Sequence, residues 1–216
     1  MNLSKKIYYK VLYYLDLGIL PYRILRLSSQ LTNHFFVEHN PPESVVNQLQ
    51  EMGCDSTSHM NRSLLEHFQG TYRLLKKWGN RESICLAGLF HAIYGTETFY
   101  TALVSLEKRQ EIALLIGDEA EKLVYYYSIT TRNHFVKNLS NLNDLSITSR
   151  LDGEIIPITE LEFRQLVEIF LADRLEQILS LNYRYRYQYK AFFLEAKYFI
   201  SRQGFQEFLI AYNLKD

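Results

Sequence analysis

The chain has 216 residues, 47% of them hydrophobic, and its 24 Lys and Arg balance its 24 Asp and Glu. That apolar content excludes wholesale disorder, and the length suits a single core, so one domain over 1–216 is expected. A neutral balance leaves no electrostatic footprint for nucleic acid, two cysteines show neither a zinc spacing nor a disulfide framework, and no apolar run approaches the ~18 residues of a membrane span. The start, MNLSKKIYYKVLYYLDLG, is basic, but Tyr, Lys and Asp interrupt it. It lacks the apolar stretch and cleavage site of a signal peptide, so a cytoplasmic protein without integral membrane association is expected.

Residues 1–50 form an N-terminal helical extension in this reading. Residues 3–36 give one or two helices broken near Gly18 and Pro21. Alternating basic and aromatic residues also fit a membrane-surface helix there, and an ordinary packing helix is preferred. After the loop His39-Asn40-Pro41-Pro42, Pro42 suits the first turn of ESVVNQLQEMG, with Gly53 as its stop. Asn61 is the expected N-cap of SLLEHFQGTYRLLKKWG, with Glu66 too late to complete a capping box, and Gly79 ends that helix. Arg81-Glu82-Ser83 opens ICLAGLFHAIYG, whose smooth apolar run predicts burial on nearly all sides. Two helices follow, near 106–114 and 118–130, separated by Ile116-Gly117-Asp118 as a stop and an N-cap.

Residues 146–158, SITSRLDGEIIPI, break the helical pattern. β-branched residues flank Asp152-Gly153, which predicts a small β-hairpin. ELEFRQLVEIFLADRLEQIL then returns to one long helix, and one or two more helices complete 181–216. YRYRYQYK (183–190) alternates with a strand period and resembles an aromatic-basic nucleic-acid surface; with helical neighbours and no net positive charge, helix is preferred.

Three polar residues interrupt core faces. Leu64, His67, Thr71 and Leu74 step by three or four, as do Ile84, Ala87, His91 and Tyr94, and Leu166, Phe170, Asp173 and Gln177. Each series turns its polar member inward. Buried polar groups must satisfy one another or hold an ion. Imidazole and carboxylate together suit first-row divalent ions, so spacing leaves a metal site and a hydrogen-bonded core both open.

HxxxTYxLLxxWG, AGLFHAIYGTE and LADRLEQ together resemble the HD-domain superfamily of metal-dependent phosphohydrolases, most strongly its (p)ppGpp hydrolase branch. SLEKRQEIALLIGDEAEKLVYYYSIT resembles the helix, turn and helix that follow in that branch. The resemblance covers roughly 55–180 and implies an all-α HD-like core with a small β-hairpin. It implies a single divalent ion, Mn, Fe, Mg or Zn, held by His67, His91 and Asp173. It also implies hydrolysis of a phosphorylated small molecule, a nucleotide being one candidate. The family's His-Asp pair reads His91-Ala92 here, and its Glu-Asp pair reads Gly95-Thr96, followed by Glu97. Glu97 is therefore the candidate base or fourth ligand, and His59 the other candidate for the missing ligand. Arg62, Arg132 and Arg174 are the candidate phosphate holders, while Lys76 and Lys77 are expected to face away. The same sequence fits two alternatives: a catalytically degenerate domain that binds a small molecule or a protein partner, and an iron oxygenase on the same scaffold.

Overall fold

Pro42 precedes helix α1 (Glu43–Glu51), whose Val45 and Leu49 are buried. The computed structural model describes residues 39–59, 62–178, 181 and 183–214, apart from the side chains of Ser58, His59, Tyr183 and Arg184. The helices expected over 3–36 and the cap expected at Asn61 lie outside those residues.

A short antiparallel pair, β1 (Ser58–His59) and β2 (Arg62–Ser63), stands where the sequence suggests only a polar segment. It delivers the chain to α2 (Leu64–Lys77). The cap of α2 is Ser63: its hydroxyl accepts the N–H of Glu66, and the Glu66 carboxylate accepts the N–H of Ser63. Glu66 thus completes the capping box that a cap at Asn61 would have put out of register. Helix α3 (Glu82–Phe90) packs on α2, then α4 (Arg109–Ile116), preceded by a 3-10 turn at Leu106–Lys108, and α5 (Asp118–Ile129) follow. Gly117 itself joins α4 to α5, so Asp118 is the first helical residue rather than the cap. The short helix α6 (Arg132–Lys137) leads to β3 (Ser146–Thr148) and β4 (Ile155–Pro157). These pair antiparallel around the Asp152-Gly153 turn, as expected.

Helix α7 (Glu160–Gln177) is the central element. Thr159 and Glu162 close a capping box at its start, and from Leu166 to Asp173 every residue is buried. It packs on α2, α3, α5 and the C-terminal helix. Helices α8 (Tyr183–Arg186), α9 (Lys190–Glu195) and α10 (Arg202–Ala211) complete the fold. The architecture is all-α with small β-hairpins, and no described helix is long and apolar enough to cross a membrane.

One apolar core joins Val45 on α1 to Tyr212 beyond α10. Phe170 of α7 touches the rings of Phe135, Phe192 and Phe193, and Phe193 touches Phe208. Val45 and Leu49, late in the segment read as an N-terminal extension, are core residues, and the helices after 181 supply aromatic rings to the same interior. Their apolar spacing alone does not reveal which surface they cover.

Candidate metal centre

Helices α2, α3 and α7 bring His67, His91 and Asp173 together. One ligand atom from each lies within 4.8 Å of the others, and all three residues are buried. The two Nε2 atoms are 3.2 Å apart, and Asp173 Oδ1 lies 3.2 Å from that of His67 and 3.6 Å from that of His91. Donors held at about 2.0–2.2 Å around one ion lie roughly 3.0–3.5 Å from each other, so this spacing fits a shared cation.

Each imidazole is oriented from behind. The Nδ1 of His91 donates to the Gly88 carbonyl at 2.7 Å. The Nδ1 of His67 bonds the Glu176 carboxylate, which also takes Arg62. A neutral ring that donates from Nδ1 carries its lone pair on Nε2, so both lone pairs and a carboxylate oxygen meet at one point. The Tyr127 hydroxyl donates to Asp173 Oδ2 at 2.6 Å, and the Gln177 amide approaches Asp173 Oδ1 and, at 3.3 Å, His67 Nε2.

Acceptors gathered this way favour positive charge among them. Burial alone would lower the pKa of His67, but Asp173 and Glu176 outweigh it and push it up to about 9. Burial would raise Asp173, yet its bond to His67, the neighbouring His91 and the Tyr127 hydroxyl hold it well below the usual carboxylate range. Tyr127, fully buried, is raised well above the ordinary phenol value and stays a donor.

Two close approaches shape the pocket. A Cβ on Gly70 of α2 would stand 2.4 Å from the Glu176 carboxylate, so the missing side chain gives Glu176 its place. A Cβ on Gly88 would run into the end of the Leu75 side chain, so glycine there lets α3 lie against α2 without Leu75 having to shift.

The remaining candidates are distributed as follows. His91 follows the last residue of α3 as its C-cap rather than sitting mid-helix; its backbone keeps helical angles, so the inward spacing survives. Glu97 is not among the converging ligand atoms. Its Oε2 accepts the backbone N–H of Arg132 at 2.7 Å, which anchors it at the start of α6. Arg62 is committed to Glu176. Arg132 is buried over the Tyr127 ring, and Arg174 lies over Tyr189. Lys76 pairs with Glu82 and Lys77 with Glu207, away from the centre. The His59 side chain lies outside the described residues. Burial, aided by Asp55 beside Cys54 and Glu82 beside Cys85, pushes both thiols up to about 12, which leaves neither a ready nucleophile.

Sequence reasoning missed Glu176 and Tyr127. Glu176 is visible in LADRLEQ, one turn after Asp173, but its inward position depends on Gly70 in another helix. Tyr127 is the third of three consecutive tyrosines, and the helical spacing of α5 alone does not distinguish it.

Fold and site thus define a helical protein with a buried His-His-Asp centre backed by hydrogen bonds. A family described as a domain of unknown function, DUF6817, matches residues 48–132, a stretch that includes His67, His91, Glu97 and Arg132 but not Asp173. No curated protein and no solved structure matches the chain.

Proposed function

We propose that the chain is an HD-like metal-dependent hydrolase of a phosphorylated small molecule, with nucleotides the first class to test. The observation that carries this reading is the meeting of two Nε2 lone pairs and a carboxylate oxygen, each oriented from behind. The donor set fits a divalent ion of the first transition row. When bound, such an ion supplies Lewis-acid polarisation of a phosphoryl oxygen and acidifies a water.

The chain's own groups do the rest. Glu176 and the Gly88 carbonyl hold the two rings in the tautomer that points Nε2 inward. Tyr127 fixes Asp173. Glu97, held through Oε2 by the Arg132 N–H, is the carboxylate we assign to accept the proton of the attacking water through its other oxygen.

Elemental analysis of protein purified without chelator or affinity nickel tests the centre, and about one equivalent of metal is expected. Protein that takes up none when offered Mn, Fe, Mg and Zn in turn would sink it. A broad panel of nucleotides, including (p)ppGpp, tests turnover. Metal-dependent release of phosphate or pyrophosphate, lost in Glu97→Gln with metal retained, is the expected result.

One observation favours a second reading, a catalytically degenerate domain that binds without turnover. Ala92, 4% exposed, occupies the place after His91 where the resemblance calls for an aspartate. In that case a panel member raises the melting temperature and is recovered intact.

A further inference from the structure

Arg132, the first residue of α6, is only 6% exposed. Its guanidinium carbon lies 4.1 Å from the centre of the Tyr127 ring and 4.8 Å from that of Phe170. Among the described residues, no carboxylate pairs with this guanidinium and no acceptor takes a hydrogen bond from it. Its nitrogens keep a little solvent contact, unlike the sealed Nε of Arg174, but a mostly buried charge without a partner still forfeits much of its hydration. Contact with two aromatic rings returns only part of that loss. The N–H donors of guanidinium lie in its plane, in a fork that matches a pair of phosphate oxygens.

A second arginine shares the wall. Arg174 on α7 lies 5.2 Å from the centre of the Tyr189 ring, and that ring packs on Phe170. One Nη of Arg174 donates to the Tyr185 carbonyl, while its Nε is buried without a partner among the described residues. Burial raises the pKa of the Tyr189 phenol, and the charges of Arg132, Arg174, Glu97 and Asp173 act on it as well. The nearby carboxylates are already engaged. Glu176 holds His67 and Arg62, Asp173 holds Tyr127 and faces the histidines, and Glu97 binds the backbone of Arg132 through Oε2. With these carboxylates held by other donors, the Arg132 guanidinium is left without a carboxylate partner of its own among the described residues.

We propose that Arg132, assisted by Arg174, is a phosphoryl-binding subsite one tyrosine ring away from Asp173, and seats the substrate's phosphate beside the metal centre. Its part in turnover rests on the function proposed above; its capacity to bind phosphate does not.

The probe is inorganic phosphate, titrated by calorimetry into the full chain, metal-free and with Mn²⁺ restored. Wild type binds phosphate in both states. Arg132→Gln keeps the helical spectrum and metal content of wild type and weakens phosphate binding by roughly tenfold to a hundredfold. Arg174→Gln weakens it less. Phosphate binding that is unchanged in Arg132→Gln, or absent from wild type, overturns the subsite. Should Arg132→Gln not fold, Arg132→Lys decides: it keeps the charge and loses the fork, so weaker binding supports the subsite and unchanged binding overturns it. Protein that holds no metal but loses phosphate binding with Arg132 defeats the metal centre alone. Protein that holds metal and binds phosphate regardless of Arg132 defeats the subsite alone.

Discussion

Two buried carboxylate clusters in this molecule behave differently. Glu121 on α5 receives Arg109 through Nε at 2.6 Å and Nη2 at 2.8 Å, and the Tyr94 hydroxyl at 3.2 Å. Donors and acceptors match, and the charges cancel. Around Asp173, acceptor atoms of two histidines and a carboxylate face one another, and a guanidinium without a carboxylate partner lies one ring away. A balanced cluster ties helices together and needs nothing more. An unbalanced one requires a proton or a ligand to complete it, which makes imbalance a better guide to function than burial.

The widest separation between the clusters is expected in metal content. Asp173→Ala, His67→Ala and His91→Ala should each reduce bound metal from about one equivalent to less than about a tenth, since losing a ligand exceeds the 10–100-fold effect of losing its support. Elemental analysis measures this, and a variant at the Asp173 cluster with full metal content would erase the distinction. Arg109→Ala should do the reverse. It strands Glu121 in the interior and, discounted because Arg109 is partly exposed, costs about 2 kcal/mol, or a melting temperature lower by about 4–8 °C, with metal content unchanged.

Gly70→Ala sharpens the contrast without touching a ligand. The new methyl group meets Glu176 and displaces the carboxylate that orients His67, so metal affinity should fall about tenfold while the fold persists. Titration against a competing chelator reads this effect, and wild-type affinity would show that Glu176 does not position the ring.

The smallest effect concerns a peripheral carboxylate. Burial would raise Glu162, but Lys122 and the Thr159 cap outweigh it, so its pKa lies below the ordinary 4.5. Its stabilising contribution is complete above that value and is lost as pH falls through the folded pKa. Glu162→Gln should therefore flatten the acid side of the melting-temperature profile below pH 4.5 and leave metal content alone. An acid limb as steep as that of wild type would show that other carboxylates dominate it.

Much of the helical order was legible because apolar residues recur at helical spacing and glycine marks several ends. The β3–β4 hairpin announced itself through Asp152-Gly153. His67, His91 and Asp173 were legible as polar residues on core faces, even though His91 lies at a helix end. The cap at Ser63 was obscured by Asn61, a residue of the same capping class two places earlier. Glu97 illustrates a different limit: a carboxylate in a loop has no periodicity, and its engagement with the Arg132 N–H depends on a segment 35 residues away. Glu176 and Tyr127 were hidden because their partners belong to other helices.

Gly88 gives its carbonyl to His91 and, by lacking a side chain, lets α3 lie against Leu75 of α2. The bite of the two imidazoles is thereby gauged by a helix–helix contact rather than by a flexible loop. A pair of rings set on such a rigid frame discriminates among ions by radius: an ion too large must push the helices apart against a packed core, and one too small cannot reach both nitrogens. If the proposed centre holds an ion, its preference is set partly by the packing of α2 on α3, where neither residue of the contact is itself a candidate ligand.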